Sequence, residues 1–103
     1  LHGSVEGLVK RYDENGKVTE EITFKKGMKE GASKTYYPSG AVAAKLNYKN
    51  DRYEGLQKYY YENGKLQAEI EMSKGQLDGV TKMYDENGKL KEETIYKNGK
   101  KVK

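Results

Sequence analysis

The chain repeats itself every 24 residues without a gap, and that feature limits the folds open to it more than any other. Gly7, Gly31, Gly55 and Gly79 share one phase of the period, and Gly16, Gly40, Gly64 and Gly88 share another. Lys10, Lys34, Lys58 and Lys82 form a third column, and Tyr12, Tyr36, Tyr60 and Tyr84 a fourth. Gly3, Gly27, Asp51, Gly75 and Gly99 form a fifth. A chain built this way is a stack of equal supersecondary units, each stabilised mainly by its neighbours. The units run 7–30, 31–54, 55–78 and 79–102 after a partial unit at 1–6, in one domain of residues 1–103. Leu1 to Glu6 match the phase of a turn, as though further repeats lay upstream, and Lys103 falls where the next glycine would stand.

Each unit reads strand, turn, strand, turn. The first turn is Glu14-Asn15-Gly16, Pro38-Ser39-Gly40, Glu62-Asn63-Gly64 and Glu86-Asn87-Gly88. A two-residue type I′ turn at Asn-Gly would set Asp13 against Val18 and Tyr12 against Thr19, mixing apolar with polar on both faces. A three-residue loop, a type I turn closed by a left-handed Gly, pairs Asp13 with Lys17 instead. Tyr12 then faces Val18, Lys10 faces Glu20, and Leu8 faces Ile22. Pro38 suits this choice, because its fixed φ fits the first central position of a type I turn. The second turn carries Lys26-Gly27, Asn50-Asp51, Lys74-Gly75 and Asn98-Gly99. Asp is among the few residues that accept φ > 0, which explains Asp51 in a glycine column. Gly31, Gly55 and Gly79 follow four residues later and mark a bulge or a close backbone approach, so the register between hairpins stays open by a residue or two. The fold class is therefore all-β: tandem hairpins in one extended, twisted antiparallel sheet.

Period-2 alternation divides each strand between two faces. One face collects Leu8, Lys10, Tyr12, Val18, Glu20, Ile22 and Phe24, with the same character in later units, and is expected to be the packing face. The Lys column is expected to lay its methylene stems along the Tyr rings with the ammonium in water. The other face is polar and varied, with Val9, Arg11, Thr19, Glu21, Ser33 and Thr35. It turns aromatic in the middle at Tyr37, Tyr59 and Tyr61, joined by Met83, and these four are the candidate partner-binding residues. Tyr is frequent both in sheets and at interfaces, so bracing of cross-strand pairs is the competing reading. One apolar face is small against the entropy of ordering the chain, and no helix is available to cover it. The sheet is thus expected to curl on itself, or two chains to press their Tyr faces together as a homodimer.

Composition removes most other chemistry. Charged residues make up 35% of the chain and the apolar set 34%, which would suit a disordered segment if ten Tyr and one Phe were not regularly placed. The 20 basic and 16 acidic residues are interspersed, a pattern that favours solubility over nucleic-acid binding. With no Cys and a single histidine, His2, the usual thiolate and imidazole metal sites cannot be assembled, and no cofactor is expected. Ser4, Ser33, Ser39 and Ser73 have no base to activate them, and no phosphate-loop motif is present. Acidic residues recur along the array, Glu20, Glu69 and Glu93 among them, and recurrence points to structure where a catalytic pair would occur once. The chain is therefore read as non-enzymatic.

Two stretches carry a family resemblance: Gly55-Leu56-Gln57-Lys58-Tyr59-Tyr60-Tyr61-Glu62-Asn63-Gly64-Lys65-Leu66 and Tyr96-Lys97-Asn98-Gly99-Lys100. They resemble the MORN-repeat variant found in many bacterial proteins, some described as antitoxin-like, and the resemblance runs over essentially the whole chain. It implies an extended antiparallel sheet used for protein contacts and sometimes for membrane association. The chain lacks the Trp of standard MORN units, which weakens a transfer of their lipid binding, and it holds only repeats, so a kinase label borne by some relatives has no catalytic part to rest on. The leading expectation is a protein-interaction scaffold. The alternatives are association with anionic membrane lipid through the Lys columns and, last because Trp is absent, binding of glycan or cell wall.

Overall fold

The computed structural model describes residues 5–102. The sequence readings on His2 and the rest of the first four residues, and on Lys103, lie outside them. Ten strands follow in order: β1 (Gly7–Tyr12), β2 (Val18–Lys25), β3 (Met28–Tyr36), β4 (Val42–Lys49), β5 (Arg52–Tyr53), β6 (Gly55–Tyr60), β7 (Leu66–Ser73), β8 (Gln76–Tyr84), β9 (Leu90–Lys97) and β10 (Lys100–Lys101). They form one antiparallel sheet in chain order, with the short β5 paired to β4 beside β6.

Both turn types follow from their residues. At the first turn Asp13 N–H donates to Lys17 O at 2.8 Å and Gly16 N–H to Asp13 O at 3.0 Å, the three-residue loop expected, with Gly16 at φ +83°. Tyr37–Ala41, Tyr61–Lys65 and Asp85–Lys89 repeat it. The second turn, whose register the sequence left open, is a two-residue type I′ turn: Lys26 and Gly27 have φ of 53° and 79°, and Lys25 pairs with Met28. Asp51 earns its place among the glycines by more than tolerance of φ 67°, because its carboxylate accepts Lys29 N–H at 2.7 Å.

The face assignment changes inside each hairpin. Tyr12 does face Val18, but Arg11 then pairs with Glu20, Lys10 with Glu21, Val9 with Ile22 and Leu8 with Thr23. Thr19 is an unpaired extra residue, a β-bulge next to the turn, and Ala43, Gln67 and Lys91 repeat it. The bulge moves everything beyond it by one, so the expected pairs Lys10–Glu20 and Leu8–Ile22 do not form and the two halves of the expected packing face lie on opposite sides of the sheet. The acidic column is correspondingly Glu21, Glu69 and Glu93. A second irregularity lies between hairpins, at Gly31 and Gly79. Side chains fill the gaps that open there. Thr23 Oγ1 donates to Ala32 O at 2.8 Å, Asn47 Nδ2 donates to Leu56 O at 2.7 Å, and Glu71 Oε1 accepts Val80 N–H at 2.7 Å.

The core occupies two adjacent rows on one face. Cross-strand partners share a face, and Val9, Ile22, Ser33, Leu46, Gln57, Ile70, Thr81 and Thr94 fall in line. Of these, Ile22, Ser33, Leu46, Gln57 and Thr94 are buried, and the buried Ala44 and Ala68 lie in the next row of the same face. Small side chains here let larger neighbours close over them within a single layer. The sheet consequently stays open, with β1 and β10 at opposite ends of the strand order and a least dimension of 15 Å, and the expected curl does not form. Leu8 and Tyr12, expected to pack, are each 58% exposed on the opposite face.

Candidate functional site

The four candidate residues are brought to two places. Tyr59 pairs with Ala44 on one side and Ala68 on the other, and Ala68 pairs in turn with Met83. Both are half-buried and lie in the row Arg11, Glu20, Thr35, Ala44, Tyr59, Ala68, Met83, Glu92, alongside the core row. Arg11 Nε closes on Glu20 Oε1 at 3.5 Å at the start of this row. Tyr59 is part of an aromatic group with Tyr48 and Tyr53, whose rings stack with centroids 5.0 Å apart. Lys29 Nζ stands 5.0 Å from the Tyr48 ring centroid. Burial first, then the neighbouring Tyr53 hydroxyl, pushes the phenol pKa of Tyr48 and of Tyr59 up, so both stay neutral and keep their O–H as donors.

Tyr37 and Tyr61 stand where the first turns begin, and their hydroxyls are already engaged. Tyr37 donates to the backbone carbonyl of Tyr60, and Tyr61 to that of Tyr84 at 2.7 Å, each reaching one repeat along. Tyr37 also lines a groove of about 450 Å³ with Val18, Tyr36 and Pro38. Asp13 and Asp85 hold the equivalent position in the outer units and use it differently. The Asp85 carboxylate accepts Asn87 N–H at 2.9 Å and Lys89 N–H at 3.0 Å. The Lys89 backbone bond holds its pKa below the usual carboxylate range against a smaller opposing effect of desolvation. At the other rim a column of acids ties each second turn to the unit before it. Glu30 accepts Asn50 N–H at 3.2 Å, Glu54 accepts Lys74 N–H at 2.9 Å, and Asp78 accepts Asn98 N–H at 3.2 Å.

The other face carries a row of charge that the uninterrupted alternation hid. In strand order it runs Lys10, Glu21, Lys34, Lys45, Lys58, Glu69, Lys82, Glu93. Lys10 and Glu21 approach to 3.9 Å, Lys82 and Glu93 to 4.0 Å. In the Lys column Lys10 and Lys82 are thus placed by acidic partners; among the described residues the lysines over Tyr rings are Lys29 and Lys45, outside that column. Tyr36 donates to Glu21 at 2.8 Å and Tyr84 to Glu69 at 3.1 Å. Burial, and secondly these carboxylates, raise both phenol pKa values.

Gln57 was not singled out from the sequence, yet among the described residues its side chain is fully buried, at 0% exposure, and bonded through both ends of its amide. Its Oε1 accepts Asn47 N–H at 2.7 Å, and its Nε2 donates to Asn47 O at 3.1 Å, Gly55 O at 3.2 Å and Glu54 O at 3.4 Å. The amide takes the place of a backbone rung between β4 and β6. The available signal was a break in a column: Val9, Ser33 and Thr81 hold the equivalent positions.

Hairpins of equal length, joined edge to edge and tied at both rims, make this a tandem β-hairpin repeat module. The MORN repeat variant model matches residues 5–26, 29–50, 53–74 and 77–98, and the chain belongs to that family, one of repeat modules. No curated protein matches the chain.

Proposed function

We propose that the chain is a non-catalytic scaffold that binds a protein partner across the face bearing Tyr59 and Met83, with Tyr37 and Tyr61 at its rim. The observation that carries this reading is one column that changes along the array from polar to large and apolar or aromatic side chains. Arg11, Thr35, Tyr59 and Met83 occupy equivalent places, and the two large side chains sit beside small Ala44 and Ala68 in a sheet one layer thick. Aromatic residues and Met are the types enriched where proteins meet. The hydroxyl ties of Tyr37 and Tyr61 add a second task, fixing neighbouring hairpins, that is compatible with ring contacts to a partner. Among the described residues no group of three or more His, Cys, Asp or Glu is placed to hold a metal ion.

Thr35 supplies the test, because a repeat of this same sheet folds with Thr at that place. The double variant Tyr59→Thr, Met83→Thr should keep its melting curve close to wild type and lose the protein that immobilised wild-type chain retains from native lysate. Retention of the same protein by the double variant would end the reading, as would a wild-type chain that retains none.

A further inference from the structure

We infer that Lys34, Lys45 and Lys58 form an anchor for an extended acidic protein segment, on the face opposite Tyr59. The charge row across that face would alternate in sign on every strand but for one residue. Its order is Lys10, Glu21, Lys34, Lys45, Lys58, Glu69, Lys82, Glu93, and a Glu at 45 would make it regular. Equivalent positions in the other units do hold Glu, at 21, 69 and 93. Lys45 instead lies directly opposite Lys34 on one side and Lys58 on the other. Like charges on facing strands destabilise a sheet, so the array holds a cost at its centre that its own repeat pattern avoids elsewhere. None of the three makes an ion pair among the described residues, whereas Lys10 and Lys82 do. Lys34 and Lys45 are exposed and Lys58 half-buried, and the Lys45 ammonium is steadied 5.6 Å from the Tyr60 ring centroid.

Size and surroundings choose the occupant. Three adjacent strands span about 10 Å, and same-side residues of an extended chain are about 7 Å apart. Two carboxylates in an acidic-x-acidic segment therefore fit among three ammoniums. Leu56, 37% exposed on the same face, offers an apolar contact beside them. A flat anionic surface would meet the whole row, including Glu21, Glu69 and Glu93, and be repelled at both flanks; a narrow chain meets the centre alone.

The probe is a fluorescent peptide of about eight residues with Glu at alternate positions, its control the same peptide with Gln. Binding is read by anisotropy at low and physiological salt, with phosphatidylserine vesicles as a separate arm. Wild-type chain should bind the Glu peptide, more weakly as salt rises, and leave the Gln peptide free. Lys45→Glu, which makes the row alternate, should melt at or above the wild-type temperature and weaken peptide binding about tenfold or more. Lys45→Gln should fall between. Tyr59→Thr, on the other face, should bind the peptide as wild type does, which keeps this anchor separable from the aromatic surface. The inference is overturned if the Glu peptide is not bound at low salt, or if Lys45→Glu binds it unchanged. It is also overturned if vesicles are bound in place of the peptide with the same dependence on Lys45.

Discussion

Replacing Gln57 by Leu should destabilise the sheet by about 2–4 kcal/mol, although Leu is apolar and the site is fully buried. The magnitude follows from which groups lose a partner. Asn47 N–H has the Gln57 Oε1 atom as its acceptor at 2.7 Å, and Leu offers none. An orphaned donor of this kind costs about 1–3 kcal/mol. Asn47 O loses one donor but keeps Glu54 N–H at 3.0 Å, so its share is small. The carbonyls of Glu54 and Gly55 lose longer bonds, at 3.4 and 3.2 Å, worth together about 1 kcal/mol. Leu and Gln are close in volume, so little cavity is added to the total.

The same column provides a control of opposite sign. Ser33 Oγ and Thr81 Oγ1 are buried and find no hydrogen-bond partner among the described residues. Ser33→Ala and Thr81→Val should therefore leave stability unchanged or raise it by up to about 1 kcal/mol, because an unpaired buried hydroxyl is removed. Urea unfolding of the three variants gives the ranking, and amide hydrogen exchange at Asn47 locates the cause: its protection should drop in Gln57→Leu alone. If Gln57→Leu unfolds at the wild-type midpoint, or if Ser33→Ala loses as much as it does, the amide is not standing in for a rung and the reasoning is wrong.

Tyr61→Phe removes a bond to the Tyr84 carbonyl while keeping the ring, and should cost about 0.5–1.5 kcal/mol in urea melts, with unchanged stability arguing that the rim tie is idle. Gly79→Ala should cost about 2–4 kcal/mol, since a Cβ there would stand 2.7 Å from Glu71 Oε1 and 2.9 Å from its Cβ at φ +116°. Gly88→Ala, at φ +91° with open space around it, meets backbone strain alone and should cost about 1 kcal/mol, so equal losses in the two would refute the close approach. The depressed pKa of Asp85 means that its stabilisation is present above the unfolded value near ~4 and is lost as pH falls through the lower folded value. Wild type should accordingly lose more stability than Asp85→Asn in that acid window; parallel pH profiles would remove the carboxylate from the account.

The first turns were legible because their residues act locally, whereas the second turns were located but not given a register. Glycine phase, Pro38 and the Asp13–Lys17 pairing select the three-residue loop with no help from tertiary contacts. The faces were legible only as far as the bulge. An extra residue at Thr19, Ala43, Gln67 or Lys91 carries no compositional mark, and one unpaired residue reverses the side of every residue after it. A trace of it was available in the columns: without the bulge Lys58 would face Ala68, and it meets a carboxylate only if Glu69 lies opposite it. Tyr37 and Tyr61 were readable as unusual but not as ties, because their acceptors lie one repeat away and depend on how closely hairpins approach.

The departures from the repeat gather at one seam. Lys45 in a column of Glu, Gln57 in a column of small side chains, Tyr59 beside Thr35, and Asp51 in a column of Gly all sit where β4 meets β5 and β6. Pairing there is also the least regular, interrupted at Glu54 and completed by the Gln57 amide. In an array stabilised by nearest neighbours, an interior seam is supported from both sides, and it tolerates irregular residues that would fray an end. Tyr59 pairs with Ala44 and Lys45 with Lys58, two successive rungs between β4 and β6 on opposite faces, so the seam that Gln57 holds shut sets the position of both surfaces at once. Opening it with Gln57→Leu should therefore weaken peptide binding at Lys45 and partner retention at Tyr59 together, a coupling that single substitutions on either face should not produce.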